Sequence, residues 1–188
     1  MKKYPITTAV LFITLICFLG KSLISYETFG LHSLLSNNFK VVQLLTYPLL
    51  HGNILHLAIN LLMFYVFSKP IEKKIGSFKT LLIFIFLSIS TGLYFILSNI
   101  TGSCLIGMSG VCYGLMAYYA MIKPNTKFNL FFLYKVNIKY LVVIVVIIES
   151  ILLFFNKSIA HDVHLIGVLF GLILSILWQN THVRIAER

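Results

Sequence analysis

Hydrophobic residues fall into six long runs, which short polar or basic segments separate. A transmembrane helix needs about 20 mostly apolar residues to cross about 30 Å of hydrocarbon. Helices and closed barrels are the only structures that satisfy their own backbone groups inside a bilayer. The pattern therefore predicts an all-α membrane protein, a single domain over residues 1–188, with six transmembrane helices at approximately 5–20, 53–68, 79–99, 109–123, 137–155 and 162–179.

The basic residues are divided unequally between the connections. With a cytoplasmic N-terminus, the inner segments hold Lys2, Lys3, Lys69, Lys73, Lys74, Lys79, Lys123, Lys127, Lys135, Lys139, Arg184 and Arg188. The outer segments hold only Lys21, Lys40 and Lys157. Because cytoplasmic loops are enriched in Lys and Arg, this bias predicts six spans with both termini cytoplasmic. The compact form favours a bacterial plasma membrane.

The start of the chain could be confused with a signal peptide. Lys2 and Lys3 precede an apolar run, Ile6–Leu19, but no A-x-A-like cleavage site follows it. We therefore expect a retained first helix. The long segment after it, residues 21–50, is partly apolar, so it is expected to lie in the membrane interface or to fold back into the bilayer.

Composition supports a membrane protein and excludes several other classes. Of the 188 residues 59% are hydrophobic and only 11% are charged, against about a quarter charged in a soluble domain. The net charge is +10, and the basic residues that produce it lie between the apolar runs. Their position indicates membrane topology and not nucleic-acid binding. The three cysteines, Cys17, Cys104 and Cys112, lack the spacing of a disulfide framework or a metal site. No metal and no cofactor are expected.

The fourth apolar segment is shorter than the others. From Ser109 to Lys123 a helix would measure about 22 Å, and Lys123 and Pro124 fix its cytoplasmic end. Its outer end should then stop inside the membrane, and the preceding loop, residues 98–108, should be re-entrant. Irregular backbone at that depth requires surrounding protein or a water-filled cavity, so Ser109 should begin a helix beside water.

Two residues at helix starts suggest nucleophilic catalysis. Ser109 begins the fourth segment, where backbone N–H groups favour developing negative charge, and a serine needs a base to take its proton. His164, near the start of the sixth segment, suits a general base. The alternatives are a helix-capping serine and an interfacial histidine bonded to a carbonyl group.

Small residues suggest how these two helices meet. Gly110, Gly114 and Ala117 on the fourth segment, and Gly167, Gly171 and Ser175 on the sixth, form small-residue faces that allow close helix packing. Ser109 and His164 lie at the outer ends of these faces. Tyr113, one turn after Ser109, would hold the imidazole ring in place.

Other polar residues lie in or beside the apolar segments. His56 and Asn60 form an i, i+4 pair that would suit an oxyanion hole or a polar contact between helices. His51 is expected nearer the surface, as a loop residue. Glu149 has no assigned role, and Asp162, two residues before His164, should point away from it.

At this point the sequence resembles the rhomboid intramembrane proteases. The matching runs are His51–Asn60 on the second segment, Ile71–Ser77 on the next inner loop, the GxSG-like Gly107–Gly114, and His164–Gly167 with Gly171. They occur in the family's order over about residues 42–178. GxSG alone is a weak signal, but four ordered pieces on the corresponding helices are a strong one.

The resemblance implies a catalytic dyad without an acidic third member. Ser109 would be the nucleophile and His164 its general base, with Tyr113 stacked against the imidazole ring. His56 and Asn60, with the backbone N–H of Ser109, would stabilise the oxyanion. The substrates would be transmembrane segments of other proteins.

The resemblance has further consequences and two departures. Gly107 would support the oxyanion side, and Glu72 would have a structural role on the cytoplasmic side. Many members carry a Trp-Arg pair where this chain has Val42-Gln43, and a small residue where it has Ile106.

Three functions remain open at the level of sequence. The first is an intramembrane serine endopeptidase, whose partners are transmembrane proteins and the lipid bilayer. The second is an inactive relative that acts as a membrane adaptor for transmembrane helices, although this chain keeps both the serine and the histidine. The third is a haem or transport protein that uses His56 and His164 as paired ligands, which leaves the Ser109 motif unexplained. The sequence does not determine the oligomeric state.

Overall fold

The computed structural model describes residues 4–98, 104–130, 134–155 and 159–186, and the chain divides into two compact units, residues 1–112 and 113–188. The single-domain assignment therefore stays a prediction. In chain order the elements are α1 (Pro5–Leu19), α2 (Tyr26–Phe29), α3 (Gln43–Thr46), a 3₁₀ turn (Tyr47–Leu49), α4 (Ile54–Ile75), α5 (Ser77–Ser98), α6 (Ser109–Ile122), β1 (Lys127–Leu130), β2 (Tyr134–Asn137), α7 (Ile138–Phe155) and α8 (His161–Ala186).

Each of the six apolar segments coincides with a helix. Among the described residues, α4, α5, α7 and the His161–Trp178 part of α8 are long and apolar enough to cross a membrane, whereas α1 and α6 are shorter apolar helices. A largely helical membrane protein is confirmed. The count of six spans stays a prediction, and so does the re-entrant loop, because its residues 99–103 lie outside the described part of the chain.

Helix α4 is longer than the sequence prediction. It passes through Lys69 and Pro70 and ends only at Ile75, where Gly76, with φ +86°, donates its N–H to the Glu72 carbonyl oxygen at 2.9 Å. A proline inside a helix loses one hydrogen bond and can be tolerated where packing compensates. The predicted inner loop over residues 71–77 is therefore mostly the last turns of this helix.

The Glu72 side chain joins the end of α4 to the start of α1. Its carboxylate accepts hydrogen bonds from the backbone N–H groups of Ile6 at 3.0 Å and Thr7 at 2.9 Å, and from the Thr7 hydroxyl at 2.6 Å. The first N–H groups of a helix have no partner within that helix. The side chain of Tyr4, the residue before α1, makes no capping hydrogen bond. Glu72 therefore caps α1 from another helix, with its negative charge at the positive end of the helix dipole.

Two short antiparallel strands follow α6, so the chain is mostly but not entirely helical as the sequence predicted. Strands β1 and β2 pair in the register Lys127↔Asn137 to Leu130↔Tyr134. Polar and apolar residues alternate along Lys127–Leu130, which is the period of a strand. The run is only four residues long, too short to stand out from the basic segment in which it lies.

The segment between α1 and α4 is organised by the buried side chain of Gln43. Its amide nitrogen donates to the carbonyl oxygens of Thr28 at 3.1 Å and Asn38 at 2.8 Å. Its amide oxygen accepts from the N–H groups of His32 at 3.3 Å and Lys40 at 3.2 Å. One amide thus uses its two donor and two acceptor positions. Gln43, in one of the two positions where the rhomboid resemblance leads us to expect Trp-Arg, anchors this segment.

Candidate active site

Ser109 begins α6 directly after a constrained turn. Gly107 has φ +103°, a conformation that residues with a Cβ rarely adopt, and its N–H donates to the Tyr47 carbonyl oxygen at 2.9 Å. Just before it, Leu105 exchanges two backbone hydrogen bonds with Leu31, at 2.9 and 3.0 Å. The Ser109 side chain is half-buried. The turn is therefore held by the preceding segments of the first unit.

His56 and Asn60 lie near the start of α4, in the same unit as Ser109. A Cβ on Gly107 would lie 2.6 Å from both Cε1 and Nε2 of His56, so this imidazole packs directly on the turn before Ser109. The Asn60 amide donates to the His56 carbonyl oxygen at 2.9 Å, and the Cys112 thiol donates to the Asn60 carbonyl oxygen at 3.6 Å. Four of the sequence-predicted site residues, His56, Asn60, Gly107 and Ser109, thus belong to one connected region.

His51 lies in the loop before α4, as expected, but its side chain is buried and not at the surface. Its ring lies edge-on to that of His56 with 4.8 Å between centroids. Burial, followed by the nearby His56, lowers the pKa of His51 to about 4. His51 is therefore neutral near pH 7 and supports the His56 ring by packing.

The second unit contains Tyr113 and His164 and an unexpected acidic residue. The Tyr113 and His164 rings are stacked, with centroids 4.4 Å apart and an interplanar angle of 19°. Glu149 of α7 accepts at Oε1 from the Tyr113 hydroxyl at 2.5 Å. Its Oε2 lies 3.0 Å from His164 Nδ1 and 2.5 Å from His161 Nδ1. Three side chains therefore converge on one buried carboxylate.

Sequence reasoning missed the roles of Glu149 and His161. Glu149 is an acidic residue in an otherwise apolar helix, and an unpaired charge in a bilayer is costly. This cost was the signal in the sequence that Glu149 needs partners. Asp162 points elsewhere: its carboxylate accepts from the Val163 N–H at 2.9 Å. Ser109 belongs to the first unit and His164 to the second, and the catalytic pairing of these two residues stays a prediction.

The same three residues could in principle hold a metal ion. One ligand atom each from Glu149, His161 and His164 lie within 4.8 Å of one another. Two histidines and a carboxylate are a donor set that zinc uses. In the structure these atoms already satisfy one another by hydrogen bonds, and the expectation of no metal stays a prediction.

Glycines bring α6 and α8 into close contact inside the second unit. A Cβ on Gly171 would lie 2.1 Å from the carbonyl oxygen of Gly114 and 2.9 Å from its Cα. Only a hydrogen atom fits at this crossing. Two of the small residues named from the sequence thus form a backbone-to-backbone contact between the helices that carry Tyr113 and His164.

Comparison with known proteins supports the resemblance. A family model described as the Rhomboid domain matches residues 38–180. The rhomboid protease GlpG of Haemophilus influenzae is 27% identical over 134 residues, 71% of this chain and 68% of that protein. The GlpG proteins of Salmonella paratyphi A and Enterobacter sp. are 24% and 26% identical, over 91% and 73% of this chain and 62% and 48% of their own lengths. The chain thus spans between about half and two thirds of the length of these relatives.

The matched range contains every residue of the candidate site, from His51 to Gly171. Together with the four helices able to cross a membrane, the match establishes that the chain is an integral membrane protein and belongs to the rhomboid family.

Proposed function

We propose that this protein is an intramembrane serine endopeptidase that cleaves transmembrane segments of other membrane proteins. The observation that carries the proposal is the stack of Tyr113 on His164, one helical turn along α6 from Ser109. The stack holds the His164 imidazole, which can act as a base, against α6, the helix that begins at Ser109. The relatives named rhomboid protease support the same reaction class.

In the proposed reaction Ser109 attacks the carbonyl carbon of the scissile bond. Its hydroxyl proton moves to Nε2 of His164 as the Oγ–C bond forms. The charge that develops on the carbonyl oxygen is stabilised by the Ser109 N–H, by His56 and by Asn60, in the manner of an oxyanion hole. His164 then gives its proton to the leaving amine, and water releases the acyl group by the reverse sequence.

The proposal includes membrane topology and substrate access. The distribution of Lys and Arg favours six spans with both termini in the cytoplasm. The compact form and the bacterial relatives favour a bacterial plasma membrane. The start of α6 then lies towards the outer side of the membrane, so a substrate helix would be unwound near its outer end. Helix α7 and the outer loops are the proposed gates for entry.

A substrate-cleavage assay tests the proposal. The purified protein, reconstituted in liposomes with a model transmembrane substrate, should cleave it, whereas Ser109→Ala and His164→Ala should lose cleavage by at least about 10³-fold. Ser22→Ala, at an exposed serine, is the matched control and should cleave at the wild-type rate. Cleavage that survives Ser109→Ala would refute the proposal. Binding of the substrate without cleavage by the wild-type protein would indicate an adaptor instead.

A further inference from the structure

We propose that Glu149 is a positioning residue that orients the His164 imidazole for catalysis by the proposed Ser109–His164 pair. The inference rests on the proposed function, and it assigns a role to a residue that the family motifs leave out. Glu149 would act through His164 and would not touch the substrate.

The first argument is the direction of the hydrogen bonds. An ionised carboxylate has only acceptor positions, and the side chains around Glu149 all offer donors: the hydroxyl of Tyr113 and the Nδ1 atoms of His161 and His164. The Glu149 side chain is 7% exposed and that of His164 is 9% exposed. A carboxylate with so little exposure to solvent requires such donors, because a buried charge without partners is strongly destabilising.

The second argument concerns the tautomer of His164. A neutral imidazole carries one proton, and the ring nitrogen that faces a carboxylate is the one that keeps it. With Nδ1–H donated to Glu149, Nε2 carries the lone pair and is the atom able to accept a proton. The proposed general base is therefore held in the tautomer that the reaction needs.

The third argument concerns orientation and charge. The imidazole is fixed on its face by the Tyr113 stack and on its edge by Glu149, while the Tyr113 hydroxyl is bonded to the other oxygen of the same carboxylate. When the Ser109 proton moves to Nε2, the Nδ1 proton stays in place and Glu149 gains none. The adjacent negative charge stabilises the resulting imidazolium, as in serine protease triads.

Among the described residues of the second unit, three helices place a polar or charged group against His164. These groups are Tyr113 on α6, Glu149 on α7 and His161 on α8 itself, whose ring lies at 86° to that of His164 with 5.8 Å between centroids. His161 shares the Oε2 atom with His164. Glu149 is the acidic member of this group, so removing its charge is the most direct perturbation.

The experiment compares Glu149→Gln with Glu27→Gln. Glu149→Gln keeps the shape of the side chain and removes the charge, and Glu27 is an exposed glutamate in the outer segment. The rate at which a fluorophosphonate labels Ser109, together with kcat and KM for a transmembrane substrate, should be measured in liposomes. We expect Glu149→Gln to lower the labelling rate and kcat by about 10²- to 10⁴-fold, with KM within about threefold of wild type. Glu27→Gln should match the wild type.

Two further measurements separate positioning from stability. In the background of Ser109→Ala, ¹⁵N-labelled histidine should show the Nδ1–H of His164 as a strongly hydrogen-bonded proton, and the signal should vanish in Glu149→Gln. If Glu149→Gln does not fold, Tyr113→Phe keeps the ring stack and removes one donor to Glu149. It should fold and lower the labelling rate by about three- to tenfold, whereas wild-type labelling would overturn the inference.

The outcomes are distinguishable from a failure of the proposed function. If Ser109→Ala abolishes cleavage while folded Glu149→Gln has the wild-type kcat, the positioning role is wrong and the protease remains. If the wild-type protein neither cleaves the substrate nor reacts with the probe, both the proposed protease function and the positioning role are wrong. Activity lost in a chelator and restored by zinc would show that Glu149, His161 and His164 bind a metal, and it would overturn the hydrogen-bonded role.

Discussion

The contact between Gly171 and Gly114 allows a prediction whose size follows from the geometry. In Gly171→Ala the new methyl carbon would start 2.1 Å from the Gly114 carbonyl oxygen. A close C–H···O contact has about 3.3–3.6 Å between carbon and oxygen, so α6 and α8 must separate locally by about 1 Å. Both contact partners are helix backbone, which has no rotamer to adjust.

Two consequences are expected from that separation. Overpacking of this kind costs about 1–3 kcal/mol of stability, which should lower the midpoint of thermal unfolding in detergent. A displacement of about 1 Å between catalytic groups can cost about 10²-fold in rate, and Tyr113 and His164 lie on the two helices that must move. We therefore expect fluorophosphonate labelling of Gly171→Ala to be about 10²-fold slower at a temperature where the variant is folded.

Gly52→Ala is the matched control. Its new Cβ would meet Ile106 Cδ1 at 3.7 Å, an ordinary van der Waals distance. It should unfold and label like the wild type. A Gly171→Ala variant that is indistinguishable from the wild type in both assays would refute the close crossing of the two helices. Loss of stability with an unchanged labelling rate would refute the link between the crossing and the site.

Three other predictions test separate parts of the structure. Glu72→Gln replaces one acceptor of the α1 cap by a donor, so it should lower the free energy of unfolding by about 2–4 kcal/mol, measured by denaturant titration in mixed micelles, whereas Glu27→Gln should change it little. Gly107→Ala forces a residue with a Cβ to adopt φ +103° and places that Cβ against the His56 ring. Fluorophosphonate labelling should slow by about 10²- to 10³-fold. Labelling at the wild-type rate would show that His56 does not stabilise the oxyanion. The pKa of His51 is about 4 in the folded protein against 6.5 ordinarily, so between these pH values the unfolded state binds the additional proton, and stability is lost as the pH falls from about 6.5 towards 4. In His51→Gln this part of the acid sensitivity should disappear, and an unchanged pH dependence of the unfolding midpoint would contradict the buried neutral histidine.

Much of the fold could be predicted from hydrophobic periodicity because a bilayer leaves few alternatives. The start of α6 at Ser109 followed from the preceding glycine motif and the shortness of the apolar run. Helix α4 was underestimated because Lys69 and Pro70 are typical of a helix end, whereas the cap that Glu72 gives to α1 depends on a contact over 65 residues of sequence. The β1–β2 pair was missed because two four-residue strands are too short for a recognisable pattern.

The candidate site divides in the same way. The sequence motifs singled out Ser109, Tyr113 and His164 as candidates, because each motif is a short local pattern at a helix start. The role of Glu149 depends on partners 12, 15 and 36 residues away in the sequence, and no local spacing indicates that they converge. Gln43 is a similar case, since its four hydrogen bonds join backbone groups from separate turns of the segment between α1 and α4.

The most direct test of the central claim is to locate the fluorophosphonate adduct by mass spectrometry after labelling the protein in liposomes. The account predicts one phosphonylated residue, Ser109, with labelling abolished in His164→Ala and strongly slowed in Glu149→Gln. An adduct on any other serine, or labelling of Ser109 at the wild-type rate in His164→Ala, would contradict it.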